Sequence, residues 1–316
     1  MDRIKLKDYP IGFIGTCLGA VTLTSLYPGL GFNGVRSIFI YIGFIALVFW
    51  VARFIKHPDV IKKEMNNPIL MTLYPTATML LMNIAAYFVK FNSTVALTLW
   101  YIGFIINIFF VLFFLITHVI KKFDINSVLP CWYALLVGIS VSCTTSPAMN
   151  TQNIVKPVFY FVVISFLTYL PVVIYRLSKV EVPDAQYPLI CIFAAPASLC
   201  VLSYLTLFKN PNIYIVGFFF ILSLITTIYV YINFPKIFKL KFNPTFAALT
   251  FPLAVATVAC VKVSGYLFKA GYSNLGAIVN EIAGIELFIA TGVIAFVFYK
   301  FVFHFLMDIP GKKFTK

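Results

Sequence analysis

The sequence predicts an all-α integral membrane protein of ten transmembrane helices, and three observations carry that expectation. Of the 316 residues, 61% are hydrophobic and only 11% charged, with a mean hydropathy of +0.97. Soluble domains sit nearer about half apolar and about a quarter charged. Ten apolar runs follow one another, each close to the ~20 residues that a helix needs to cross a bilayer. Finally, small residues and prolines gather in the odd-numbered runs, and bulky aromatic residues in the even-numbered ones.

The runs cover approximately 10–28, 36–55, 69–89, 93–118, 128–145, 154–175, 188–208, 212–233, 245–263 and 281–304. Their connections are short, so neighbours should pair as antiparallel hairpins, and residues 1–316 form a single transmembrane domain. The first run follows a basic opening segment without a small-residue cleavage site and reads as a retained helix. One set of loops, with both termini, holds 18 of the 24 Lys and Arg residues; the other set holds Arg36, Lys90, Lys156, Lys209, Lys262 and Lys269. Such a bias places both termini in the cytoplasm, which requires an even number of spans.

Taken in order, the first run carries Gly12, Gly15 and Gly19 on one helical face. The third reads Tyr74-Pro75-Thr76-Ala77-Thr78. The fifth has Pro130 near its start, then Ala134, Gly138, Ser142 and Thr145 along a stripe. The seventh carries Ala195-Pro196-Ala197-Ser198, and the ninth Thr250-Phe251-Pro252. Even runs are bulkier, as in residues 107–115 and 213–222, and only Pro171 in the sixth departs from the split. Small residues let helices approach closely or leave a lumen, while large apolar side chains face lipid. Two arrangements fit. Five hairpins could form a quasi-fivefold ring with the odd helices around a central pore, or the small residues could simply mark helix contacts.

A proline inside a helix removes a donor and crowds the carbonyl four residues earlier, so Pro252 should kink the ninth run at Ala248. Phe251 would then sit where a pore is narrowest. Pro75, Pro130 and Pro196 are the corresponding kink candidates. The interior candidates Gly15, Thr78, Ser142, Ser198, Thr250 and Ala254 offer hydroxyls and small surfaces without any Asp or Glu at mid-depth. A cation pathway normally needs acidic side chains or carbonyl rings there, so a neutral interior in a chain of net charge +14 tolerates anions.

Other chemistries lack their residues. Cys17, Cys131, Cys143, Cys191, Cys200 and Cys260 all fall inside apolar runs with no CxxC pair, which argues against disulfides and metal. His57, His118 and His304 lie near run ends and are never paired at ligand spacing. No enzymatic signature is present. The basic residues sit in short loops, which points to anionic lipid headgroups rather than nucleic acid. Glu286 is the one acidic residue clearly within a run. It reads as a titratable site for coupled transport, as a headgroup-level carboxylate, or as one paired with Lys262 or Lys269.

These motifs, in this order, resemble the tellurite-resistance/dicarboxylate transporter family, the group of TehA and the plant slow anion channels. The resemblance runs nearly end to end. It rests on residues 11–19, on Tyr74 to Leu80, on Ala195-Pro196-Ala197 with Cys200 to Leu205, and on Thr250-Phe251-Pro252. The family implies a homotrimer in a cell membrane, the inner membrane for a bacterial member. Each protomer would have its own pore, lined by five inner helices kinked at mid-depth and plugged by the phenylalanine matching Phe251. It implies no cofactor. Its substrates are small anions, with chloride and nitrate passing through the channels. Dicarboxylate, sulfite or tellurite would fit the alternative, a proton-coupled carrier using Glu286. Two departures stand out. Cys17 replaces the usual proline of the first helix, and Leu170-Pro171 stands where some members have Glu-Pro.

Overall fold

The computed structural model describes residues 6–306, and it is helical throughout, with no strand among them. Ten segments order the chain: α1 (Ile11–Leu23), α2 (Val35–Lys56), α3 (Pro68–Phe88), α4 (Ser93–Ile120), a broken α5 (130–149), α6 (Gln152–Lys179), α7 (Tyr187–Leu207), α8 (Ile213–Ile237), α9 (Pro244–Lys269) and α10 (Ser273–Leu306). Eight of these are long and apolar enough to cross a membrane. The other two are α1, whose 13 residues span only ~20 Å, and α5. A short surface helix, Pro58–Met65, joins α2 to α3.

The segment starts are written locally. Asn67, Asn92, Asn212 and Asn243 each turn a side-chain oxygen onto a backbone N–H at the head of α3, α4, α8 and α9, satisfying donors the first turn leaves free. Gly31 and Gly271, at φ 87° and 86°, allow the sharp reversals after α1 and α9. Asn150 makes the same left-handed turn between α5 and α6.

Each odd segment packs on the even one that follows it, and also on other odd segments. Thus α1 touches α3 and α9, α3 touches α5, α5 touches α7, and α7 touches α9. Burial follows the same division. The most apolar stretches of α3, α7 and α9 are 67%, 89% and 78% buried, whereas those of α2, α4, α6, α8 and α10 are only 28–39% buried. The even segments turn large side chains such as Phe44, Ile105, Ile164, Ile225 and Phe288 outward. In water such a surface would aggregate; in a bilayer it is the solvated face. Pro171 lies exposed on α6, as do Pro157 of α6 and Pro235 of α8, so the prolines inside even segments sit on outward faces.

Several boundaries differ from the sequence expectation: α1 ends at Leu23 rather than near 28, α9 runs on to Lys269 rather than 263, and the last helix begins at Ser273 rather than near 281. The fifth run is not one helix but four short pieces, Pro130–Trp132, Tyr133–Leu136, Gly138–Ser140 and Val141–Met149. Trp132 anchors it by stacking on Tyr169 of α6 at 5.5 Å and meeting Phe114 of α4 edge-on at 4.8 Å. Near the termini, Arg53 of α2 makes a two-pronged ion pair with Glu64 of the surface helix (2.9 and 2.7 Å). Glu64 also accepts the Tyr74 hydroxyl at 2.5 Å, at the bend of α3.

Candidate functional site

Four of the five odd segments are interrupted along their length, three of them by a change of helix type. In α7 and α9 the first half is a 3₁₀-helix, Tyr187–Ala194 and Pro244–Leu249, which passes into α-helix at Pro196 and at Thr250. α3 turns at Thr72–Tyr74 before its long helix opens on Pro75, and α5 changes at Val137–Gly138. Proline is well placed at such junctions, since the first turn of an α-helix needs no donor from it. Pro75 and Pro196 therefore open helices, and Pro252 falls in the first turn of one, so the expected kink at Pro252 is instead a change of helix type. Pro130 opens the fifth segment and does not bend it; its break falls seven residues later, at Val137. α1, where Cys17 stands in place of proline, runs as one unbroken α-helix.

Between the odd segments lie two cavities. On the side of the termini, the first halves enclose a narrow apolar space of about 40 Å³, which includes Gly15, Met79, Val137, Leu199 and Phe251, one from each odd segment. Its hydroxyl-bearing residues are already engaged: Thr76 donates to Leu73 O at 2.5 Å and Tyr133 to Phe166 O at 3.5 Å. On the opposite side, the second halves open into a vestibule of about 980 Å³, bordered by Thr22, Asn83, Thr145, Leu202 and Val255 of the same five segments and by Arg36 of α2. Leu199 and Phe251 border both spaces. Phe251 therefore stands in the partition between them, 8% exposed.

The partition is held by the glycine face of α1. A Cβ at Gly19 would lie 2.7 Å from Phe251 N and from Thr250 C, a separation that real side chains do not adopt. Gly12 meets Pro244 O in the same way. The Thr250 hydroxyl lies 2.7 Å from Ala247 O and 3.1 Å from Gly15 O, bridging α9 to α1. Backbone thus touches backbone on the side of α9 that carries the ring.

Of the seven residues that the sequence placed along a pore, two border the cavities and five do not. Phe251 and Gly15 border the cavities. The hydroxyls do not. Thr78 donates to Pro75 O at 2.8 Å and accepts from Asn107 of α4 at 2.7 Å, so it faces the outer segment. Ser198 sits 2.6 Å from Ser223 of α8, again facing outward. Ser142 donates to Ile139 O, Thr250 serves as the bridge described above, and Ala254 is fully buried; none borders either space. Inside a helix Ser and Thr satisfy themselves on the preceding turn, so their presence does not mark a lumen. What the sequence reading missed was Leu199 and Met79, apolar residues with no signal beyond their place on the stripe.

Glu286 lies 13 residues into α10, more than three turns from Ser273, not just past the start. It is 4% exposed, and its partner is the Cys260 thiol, Sγ to Oε2 3.3 Å. The expected pairing with Lys262 or Lys269 is absent, the Arg53–Glu64 pair being the only salt bridge among the described residues. It borders neither cavity. Of the histidines, His118 meets Met65 O and His304 meets Lys300 O; no described cluster of His, Cys, Asp or Glu has metal-binding geometry.

An all-helical body with lipid-ready outer segments, and inner segments enclosing two spaces that no Asp or Glu borders and that meet at a shared ring, defines a multi-pass membrane transport protein. The sequence profile of one family of such proteins, the voltage-dependent anion channels (SLAC1), matches residues 9–305. The chain belongs to that family, whose members are anion channels and transporters. Comparison with curated proteins finds no match.

Proposed function

We propose that the protein passes small anions along the line joining the two cavities, with Phe251 as the gate. Ten spans would pair as five hairpins, the odd members forming a quasi-fivefold ring around the path and both termini lying in the cytoplasm. The observation that carries this reading is that Phe251 borders both spaces while all five odd segments contribute to each. An apolar neck of about 40 Å³ holds roughly one water and stays dry when nothing in it hydrogen-bonds. A desolvated neck then stops an ion by dewetting as much as by bulk. Chloride, nitrate and related oxyanions fit a path with no carboxylate on it. Assembly as a homotrimer in a bacterial inner membrane follows the family resemblance.

The alternative is a proton-coupled carrier of dicarboxylate, sulfite or tellurite, for which Glu286 is the acidic candidate. Its position behind α9, facing Cys260 and not the path, favours the channel. In proteoliposomes, chloride and nitrate uptake should follow the anion gradient, ignore a collapsed pH gradient, and be unchanged in Glu286→Gln. Uptake that requires the proton gradient and is lost in a folded Glu286→Gln protein would establish the carrier.

A further inference from the structure

The six basic residues on the side away from the termini were legible in the sequence only as the minority class of a topology rule. In the fold they are not scattered. Arg36, Lys209, Lys262 and Lys269 all border the vestibule, and no Asp or Glu does. None of the four is in an ion pair among the described residues. The Nε of Arg36 is buried without a hydrogen-bond partner.

Their placement follows the helix period. On α9 the vestibule is bordered by Phe251, Val255, Val258, Lys262, Gly265 and Lys269, steps of four and three along one face, with Val261 and Tyr266 widening that face toward the mouth. On α7 the same stepping through Leu199, Leu202 and Thr206 leads to Lys209, just past the helix end. The faces that are apolar at the partition therefore become cationic at the mouth. Lys262 is eleven residues from Phe251, ~16 Å along the axis, beyond the ~10 Å over which 0.1 M salt screens charge. The lysines act on the mouth and leave the neck neutral. A Cβ at Gly265 would meet nothing within 4 Å, which keeps space open between Lys262 and Lys269. The Tyr266 hydroxyl donates to Pro211 O at 2.8 Å, holding the connection that carries Lys209 against α9.

We propose that this vestibule is a capture site for small divalent anions approaching from the side opposite the termini, with Lys209, Lys262 and Lys269 as its binding charges. The proposal rests on the anion-channel reading for its role, though not for its existence. Uncompensated cations around a walled cavity concentrate counter-ions, and a dianion gains twice the Coulomb energy of a monoanion at each position.

The test uses the full-length protein in nanodiscs of zwitterionic lipid, with malate and sulfate as probes and NaCl matched for ionic strength. The triple variant Lys209→Gln, Lys262→Gln, Lys269→Gln should bind both dianions ~10-fold more weakly at low salt, with the difference shrinking at high salt. The corresponding triple Arg variant should retain binding, which separates charge from fold. Malate binding alone, with sulfate indifferent, would overturn the general dianion site in favour of a carboxylate-specific one. In planar bilayers, on a Phe251→Ala background, the Gln triple should lower sulfate current several-fold only when sulfate is supplied on the vestibule side. If Phe251→Ala is folded but silent and the Gln triple still loses binding, the channel reading fails and the capture site stands. If current flows and a folded Gln triple changes neither binding nor sidedness, the capture site is overturned and the channel stands.

Discussion

Phe251→Ala raises anion conductance by ~10-fold to 100-fold in bilayers or oocytes. This follows from the role proposed for the ring: with Leu199 it borders both spaces, and it fills the partition between them. Each ~1.4 kcal/mol removed from the barrier multiplies the rate by about ten, and removing the ring both widens the neck and lets water into it. Leu at this position should give an intermediate current, and Trp should stay closed. The fold tolerates the change because α9 is fixed through its backbone and Thr250, not through the ring. Comparable surface expression of each variant checks that point.

Gly19→Ala should destabilise the protein through a single added methyl group. The new Cβ would lie 2.7 Å from two backbone atoms, Phe251 N and Thr250 C, which cannot rotate away as a side chain could. α1 and α9 must separate by a few tenths of an ångström or more, at a cost of ~1–3 kcal/mol for an overpacked site. The thermal denaturation midpoint in detergent should fall by several degrees. Gly217→Ala on α8, where a Cβ meets nothing within 4 Å, should leave it unchanged. Because the displaced backbone carries Phe251, the surviving Gly19→Ala protein should also conduct more than wild type.

Much of this was legible before any coordinates. The glycine face of α1, Phe251 as the ring beside Pro252, and the lack of Asp or Glu at mid-depth in the inner segments could all be read from residue types and spacing. Those features are local or compositional, and helix periodicity reports them directly. The hydroxyl lining could not be read that way, because Thr78 and Ser198 lie on buried faces whether they look inward or toward α4 and α8. A stripe of small residues says that a helix is close to something without saying to what. The depth of Glu286 was misjudged for a different reason. Ser273, Asn274 and Asn280 interrupt the apolar run ahead of 281, yet helix continues wherever its hydrogen bonds do. The basic residues were counted by side of the membrane, and only the fold brings four of them to one vestibule.

The central claim is that the two cavities are one anion path interrupted at Phe251. The most direct measurement is the reversal potential of Phe251→Ala in a planar bilayer under a KCl gradient. The account predicts a current that reverses close to the chloride equilibrium potential, together with a wild-type protein that is nearly silent under the same conditions. A reversal at the potassium equilibrium potential, or no current from a folded Phe251→Ala protein, would contradict it.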